Sequence, residues 1–385
     1  MNDQKTALVL GGGVGGLTAA IRLRKLLPAR HRVVLVDRER QHLFQPSLLW
    51  LAVGDRTPEQ IQRPLKELAR NGVEVVIGSV ERIDPATRVV RVSGQEYRGD
   101  AIIVALGAEL APETVPGLAE AGHNLYSLQG ASSFERALRA FTGGRIVVLT
   151  ATPAYKCPAA PYEAAMLIAS TLRKRGIRDN VEVDLYAAEA GPMLVTGPTL
   201  SGQVRGVVES QGIRYHPEHQ VTQVDATARR LSFSNGATTD FDLLLYVPPH
   251  RAPDVVREAG LLGASGWIAA DRNTFTTSVE GIYAIGDVTS IPLAMGKPLP
   301  KAGAFAHTQG EVVAENIASL WAGQAPNRTF EGGGECFVEV GDSRAGFGTG
   351  NFYAEPTPQV VFRAPARRWH WGKIWFERHW LRRWL

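Results

Sequence analysis

The chain is short of cysteine, of long apolar runs and of net charge. Two cysteines in 385 residues exclude a secreted disulfide framework and a cysteine-only zinc site, which needs three or four thiolates. Redox, nucleophilic or packing roles remain for them. No window offers the roughly eighteen consecutive apolar residues of a membrane-spanning helix. The opening Met1-Asn2-Asp3-Gln4 runs almost at once into an apolar strand, without a basic n-region, an apolar h-region or a twin arginine. No signal peptide is visible, so the cytoplasm is the expected compartment. Lysine and arginine number 42 against 38 acids, and 44% of residues are hydrophobic, a balance that excludes disordered and collagen-like classes and predicts two or three domains.

The net charge of +4 is unevenly placed. Residues 363–385 carry seven Lys/Arg and one acid, a local +6, so the remaining body is −2. The same segment holds Trp369, Trp371, Trp375, Trp380 and Trp384, five of the eight tryptophans. The basic excess belongs to the tail, and nothing in it implies a nucleic-acid partner.

What is abundant is glycine in a set order. The run Thr6–Leu10 is followed by Gly11, Gly13 and Gly16 in GxGxxG spacing, a helical stretch over 17–27, and the apolar run Val33–Val36 ending on Asp37. The glycines give a tight turn, room for a pyrophosphate against the backbone, and close helix-on-strand packing. The helix N-terminus offers free N–H groups to phosphate, and Asp37 is placed to accept hydrogen bonds from an adenosine ribose. A second apolar strand, 100–106, ends on Gly107, and Gly281-Ile-Tyr-Ala-Ile-Gly286-Asp287 repeats a strand closing on Gly and Asp. Between them lies another unit: strand 145–150, helix 162–175, and strands 181–186 and 241–247. The predicted fold class is α/β with two Rossmann-like dinucleotide-binding-type domains, the second one degenerate. Residues 1–110 and 265–325 form the first, 111–264 the second, and 326–385 a C-terminal module.

These motifs, with Ala105-Leu-Gly107 and Leu299-Pro-Lys301-Ala-Gly-Ala-Phe-Ala-His-Thr-Gln-Gly-Glu311, resemble the FAD oxidoreductases built on two dinucleotide domains. Within them the sequence looks most like the sulfide:quinone oxidoreductases and the related flavoprotein subunit of flavocytochrome c sulfide dehydrogenase. The resemblance implies FAD as cofactor, held by Gly11, Gly13, Gly16, Asp37, Gly107, Gly286, Asp287 and Lys301. Asp287 would bond the ribityl chain, and the helix after Lys301 would aim its positive end at the flavin pyrimidine. A turn-capping Asp287 and a merely solvated Lys301 are the plain alternatives.

The second domain departs from the nucleotide pattern. After its first strand the chain reads Ala151-Thr-Pro-Ala-Tyr-Lys156-Cys157-Pro-Ala-Ala-Pro-Tyr-Glu163, with prolines in place of the glycine turn and its backbone donors. This argues against a pyridine-nucleotide donor and against a type II NADH dehydrogenase. The other cysteine, Cys336, lies in a strand-like run within the C-terminal module.

The family resemblance implies that Cys157 and Cys336 are a redox pair meeting over the flavin, with hydrosulfide attacking their disulfide; two unrelated buried thiols are the alternative. Lys156 would help hold a thiolate, or point to solvent. Glu163 would handle protons, or simply cap the first turn of its helix. A third cysteine that many bacterial relatives carry aligns with Gln129 and is missing, which favours delivery of sulfane sulfur to a small acceptor thiol over long polysulfide growth. His216, His219 and His250 read as solvated or structural.

The tail reads as a basic amphipathic helix lying on a membrane surface, a peripheral arrangement on the cytoplasmic face that suits a quinone acceptor. On a helical wheel Ile374, Phe376, Trp380, Leu381, Trp384 and Leu385 share one arc, opposite Arg378, His379, Arg382 and Arg383, while Trp371 and Trp375 fall outside it. The resemblance makes Phe376 the residue that stacks on the quinone; an ordinary packing helix is the alternative. No metal site is expected, and a homo-oligomer is left open. The other functional readings are a sulfide dehydrogenase donating to cytochrome c, and an idle membrane-bound redox sensor.

Overall fold

The structure, a computed structural model, describes residues 4–383. Trp384 and Leu385 of the expected membrane arc lie outside the described residues. Apolar runs buried on both faces make parallel strands, and two five-stranded sheets result. The first runs Ile282–Ala284, Ala101–Val104, Thr6–Leu10, Arg32–Asp37, Glu74–Ile77, all parallel. Numbered along the chain this is the 3-2-1-4-5 order of a doubly wound nucleotide-binding sheet. The late strand Ile282–Ala284 completes it beside Ala101–Val104.

The second sheet runs His123–Asn124, Leu243–Val247, Gly144–Thr150, Val181–Ala187, Arg214–His216, also all parallel. Helices Val14–Leu26 and Ala160–Lys174 follow the central strands of the two sheets. Helix Val14–Leu26 packs against Gly303–Trp321 so closely that a Cβ on Gly310 would come within 2.6 Å of the Gly15 carbonyl oxygen.

The C-terminal part is an antiparallel sheet, Gly333–Gly341, Arg344–Asn351 and Gln359–Ala366, followed by helix Arg367–Arg383. Strand Gly333–Gly341 lies along helix Ala160–Lys174, and this brings the C-terminal part to the second sheet.

Candidate functional site

The glycine turn lies where the first sheet reverses strand order, between Thr6–Leu10 and Ala101–Val104, the usual crevice for ligands in open α/β sheets. Gly11 has φ +105°, and a Cβ there would stand 2.4 Å from the Ala105 carbonyl oxygen; on Gly16 it would stand 1.9 Å from that of Gly11. Gly13 differs, because a Cβ on it would meet no protein atom within 4 Å. It is the N-cap of helix Val14–Leu26 and brings no side chain to the helix N-terminus. The turn thus presents free N–H groups at an open face, which fits a pyrophosphate. Asp37 accepts hydrogen bonds from the backbone N–H of Gly12 and Glu39, so its carboxylate is locked at the turn with lone pairs to spare for a ribose.

Gly107 (φ +72°) and Gly286 (φ +73°) close the neighbouring strands. The Gly286 N–H donates to Gln309 Oε1 at 2.6 Å. Burial raises the Asp287 carboxyl above the usual carboxylate range, against the pull of Lys156 and Lys301. Lys301 is not a solvated lysine. Its Nζ donates to the backbone oxygens of Asp287 (2.6 Å) and Thr289 (2.7 Å) and sits 3.5 Å from the Trp267 ring centroid. Burial lowers its pKa to about 8, opposed by Asp287.

The Lys301 carbonyl in turn accepts the Cys157 N–H at 2.7 Å, tying the cysteine loop to the Gly286–Asp287 cleft. Cys157 has φ +49°, a left-handed conformation that a non-glycine residue adopts at a cost and that clusters at functional sites. Tyr126 Oη clamps the loop by donating to the carbonyls of Lys156 (2.6 Å) and Cys157 (3.2 Å). Lys156 does not point to solvent. It is buried against the Tyr126 ring at 5.5 Å, and desolvation lowers its pKa while Asp287 and Cys157 oppose the shift.

Cys336 lies on strand Gly333–Gly341, where a Cβ on Gly334 would stand 2.4 Å from the Phe305 ring, and it is near enough to Cys157 and Glu163 for both to act on its thiol. Both cysteines are free thiols. Burial pushes the Cys157 thiol up to about 12, with Glu163 adding to the rise and Lys373 opposing it. The Cys336 thiol is raised too, first by desolvation and then by Cys157 and Glu163. Its residue nevertheless has exposed surface. Protein crowds around a side chain that still has open space beside it, as happens in a cleft.

Glu163 is no ordinary first-turn carboxylate. It is buried, accepts from Lys373 Nζ at 2.7 Å and from the Glu339 N–H at 2.8 Å, and desolvation raises its pKa despite the lysine. Glu339, itself buried, faces His370 Nδ1 at 3.0 Å. Sequence reasoning missed Lys373, Glu339, His370 and Tyr126. One signal was available: Lys373 is the single lysine among six arginines of the tail.

The second sheet carries an acid where a nucleotide ribose would be met, Glu189, just after strand Val181–Ala187. Hydroxyls consume it: Oε1 accepts from Tyr155 and from Tyr162 (2.7 Å), and Oε2 from Thr150 (2.8 Å). His216 pairs with Asp184 at 2.8 Å, and His250 contacts the Tyr126 ring.

The tail helix corrects the expected arc. Trp380 and Leu381 are 3% exposed, packed into the hydrophobic core on one face of the first sheet, with the Trp380 indole donating to His42 Nε2. Glu377 is buried in a bidentate contact with Arg56 and a bond from Ser47. The aromatic surface is instead Trp371 (62%), Trp375 (66%) and Phe376 (40%), the first two of which the wheel had set aside. A sheet-facing stripe and a membrane-facing stripe look alike in sequence, since both are apolar. No helix among the described residues is long and apolar enough to cross a membrane, and no cluster of His, Cys, Asp and Glu there could hold a metal ion.

Two five-stranded parallel sheets, a glycine turn with a terminal acid, and a cysteine loop tied to the Gly286–Asp287 cleft define an FAD oxidoreductase of the two-dinucleotide-domain class. The model of the pyridine nucleotide-disulphide oxidoreductase family matches residues 5–310, and the chain belongs to that family. It is 27% identical to the sulfide-quinone reductase of Aquifex aeolicus, over 98% of this chain and 90% of that protein. It is 24% identical to the mitochondrial sulfide:quinone oxidoreductase of Mus musculus, over 92% of this chain and 80% of that one. The solved structure of the Aquifex aeolicus sulfide:quinone oxidoreductase superposes with a TM-score of 0.89 at 24% identity, covering 99% of this chain and 91% of the other. The relatives bear out the resemblance drawn from the motifs, and the solved structure shares the fold.

Proposed function

We propose that this chain oxidises hydrosulfide at a Cys157/Cys336 redox pair and sends the two electrons to a quinone at a membrane surface. The observation that carries the reading is that Cys157, tied to the Gly286–Asp287–Lys301 cleft through the Lys301 carbonyl, and Cys336, 179 residues further on, are close enough to act on each other's charge beside a buried Glu163–Lys373 pair. The names of the relatives supply the substrate classes.

In the oxidised pair, hydrosulfide attacks one sulfur and the S–S bond breaks, leaving a persulfide on one cysteine and on the other a thiolate that burial drives to take up a proton. A small acceptor thiol then takes the sulfane sulfur, and both cysteines are left reduced. FAD, when bound, accepts the two electrons that re-form the disulfide and hands them on to quinone. Because burial holds both thiols protonated, those electrons leave together with protons, and Glu163 with its raised pKa is the acceptor beside them. Lys156 and Lys301 set positive charge around Asp287 at the cofactor cleft. The three prolines of the loop and the consumed Glu189 count against NADH as donor.

The quinone site is assigned to Phe376, partly exposed beside Phe44 at 5.8 Å. Trp371 and Trp375, with Arg378, Arg382 and Arg383 on the same helix, form the surface that meets anionic lipid from one side. Anaerobic titration with sulfide tests the function: the flavin absorbance should bleach in the wild type and persist in Cys157→Ser and Cys336→Ser. An unbleached wild type refutes the activity, and a Cys157→Ser variant that bleaches normally refutes the disulfide step.

A further inference from the structure

Cys157 sits in an irregular loop between strand Gly144–Thr150 and helix Ala160–Lys174, at a φ of +49° that a residue with a side chain adopts only at a cost. A disulfide forms only if both sulfurs are held close to bonding distance. On the cleft side the Cys157 backbone is pinned: its N–H donates to the Lys301 carbonyl, and its own carbonyl accepts from the Ala160 N–H at 2.9 Å and from Tyr126 Oη at 3.2 Å. Those bonds hold the tip of the loop. Its base, where it joins the second sheet, is held by a different group.

We propose that this group, Glu189, is a positioning residue for Cys157, its carboxylate stapling both flanks of the cysteine loop to the second sheet and so setting the reach of Cys157 toward Cys336. The inference rests on the redox-pair reading above.

Glu189 Oε1 accepts from the hydroxyl of Tyr155, two residues before Cys157, and from that of Tyr162, five residues after it, at 2.7 Å. Oε2 accepts at 2.8 Å from Thr150, the last residue of the strand that feeds the loop. One carboxylate thus closes the loop across its entry and its exit. Thr150, Tyr155 and Tyr162 are all buried, so protein rather than bulk water supplies their partners. Burial above all, helped by Glu189, holds both tyrosine hydroxyls well above their ordinary pKa, which keeps them protonated as donors.

The anchor is itself fixed to the sheet. The Glu189 carbonyl accepts the Glu218 N–H at 3.1 Å, the Ala187 carbonyl accepts the His219 N–H at 2.9 Å, and the Ala188 N–H donates to Thr150 Oγ1 at 3.0 Å. In a nucleotide-binding sheet the acid after the second strand accepts the ribose hydroxyls. Here strand Val181–Ala187, parallel to Gly144–Thr150, leads to that acid, and the hydroxyls it accepts are the chain's own. The carboxylate that would select a dinucleotide selects the placement of a thiol instead. A loop held at both flanks keeps the Cys157 sulfur at a high effective concentration toward Cys336, which favours the disulfide over two free thiols. Glu189 acts through Tyr155 and Tyr162 and is not a catalytic residue.

The experiment compares the flavin-loaded wild type with Glu189→Leu, Glu189→Gln and Tyr155→Phe, each checked for flavin content and melting temperature. In anaerobic dithiothreitol redox buffers the enzyme disulfide exchanges with the reagent, giving two enzyme thiols and the cyclic oxidised reagent, and the ratio is read by alkylation and mass. Glu189→Leu should move this equilibrium about tenfold toward the free thiols and slow the bleaching of the flavin by sulfide by about tenfold or more, as a small misplacement of reacting groups does. Tyr155→Phe removes one oxygen and leaves Glu189 to Tyr162 and Thr150, so it should shift both readings in the same direction by less. Glu189→Gln should stay near wild type, because its amide oxygen has two lone pairs for the tyrosines and Thr150 Oγ1 can accept from its amide N–H. A folded Glu189→Leu or Tyr155→Phe with the wild-type equilibrium overturns the proposal, however low its melting temperature, because that marks a purely structural contact. So does a Glu189→Gln that shifts as far as Glu189→Leu, since charge rather than the hydrogen bonds would then be the agent. A wild type that forms no Cys157–Cys336 disulfide sinks the redox-pair reading and this proposal together, whereas a wild-type disulfide that none of the variants disturbs sinks this proposal alone.

Discussion

Removing either member of the Glu163–Lys373 pair should destabilise the protein, and removing both should cost much less than the sum. The side chains are 2% and 7% exposed, so each charge is withheld from water and lives on its partner and the Glu339 N–H. Breaking one buried pair by deleting one partner costs about 3–5 kcal/mol, while replacing both with matched neutral groups is often close to neutral. Glu163→Gln should fall at the lower end, because its amide oxygen can still accept from Lys373 and Glu339. Lys373→Met keeps the stem and leaves a buried carboxylate whose pKa burial already raises.

The two single variants should also have opposite pH slopes. In Lys373→Met the folded carboxyl binds its proton more tightly than the unfolded one, whose reference is 4.5, so stability falls as pH climbs above that value. In Glu163→Gln the buried ammonium has lost the partner that raised its pKa, so stability recovers as pH climbs toward the unfolded reference of 10.5. Thermal melting of the flavin-loaded protein between pH 5 and pH 9 reads both effects, with midpoints several degrees below wild type at neutral pH. Alkylation of Cys157 gives an independent sign: its thiol should become more acidic in Glu163→Gln and less acidic in Lys373→Met. A double variant whose loss equals the sum of the singles, or single variants with the same pH slope, would refute the coupling.

Gly13→Ala and Gly16→Ala should separate cofactor binding from folding. The first adds a methyl that meets no protein atom, so melting of the flavin-free protein should stay put while FAD affinity drops; the second collides with the Gly11 carbonyl and should lose both. An FAD affinity unchanged in Gly13→Ala, measured by flavin fluorescence, would contradict the pyrophosphate assignment. Trp371→Ser with Trp375→Ser should weaken sedimentation with anionic vesicles while leaving the melting temperature near wild type, since both indoles are more than 60% exposed. Vesicle binding that survives the pair and disappears instead with Phe376→Ser would move the membrane contact.

What could be read from the sequence was whatever the backbone must do. Gly11, Gly16, Gly107 and Gly286 announce themselves because a turn at positive φ or a contact under 3 Å leaves few residues to choose from, and the Cys157 loop stands out because its prolines replace a glycine turn that the strand order calls for. The charges inside the site could not be read in this way. Lys373, Glu339 and Glu377 look like a solvated basic tail and a strand's polar face, yet each is buried because a partner from a distant segment meets it: Glu163, His370, and Arg56 with Ser47. The tail helix was misread for the same reason. Its period reports that one face is apolar but not which surface that face covers, and His42, which takes its proton donor from Trp380 and faces the Gly12 carbonyl at 2.8 Å, is what turns that face inward. A carbonyl only accepts and an indole N–H only donates, so His42 is neutral with its proton on Nδ1, and burial lowers its pKa to match. The helix that carries Phe376 is therefore joined to the glycine turn through the His42 imidazole, in addition to its Glu377–Arg56 and Lys373–Glu163 contacts, so the proposed quinone position is tied to the turn proposed for the phosphates.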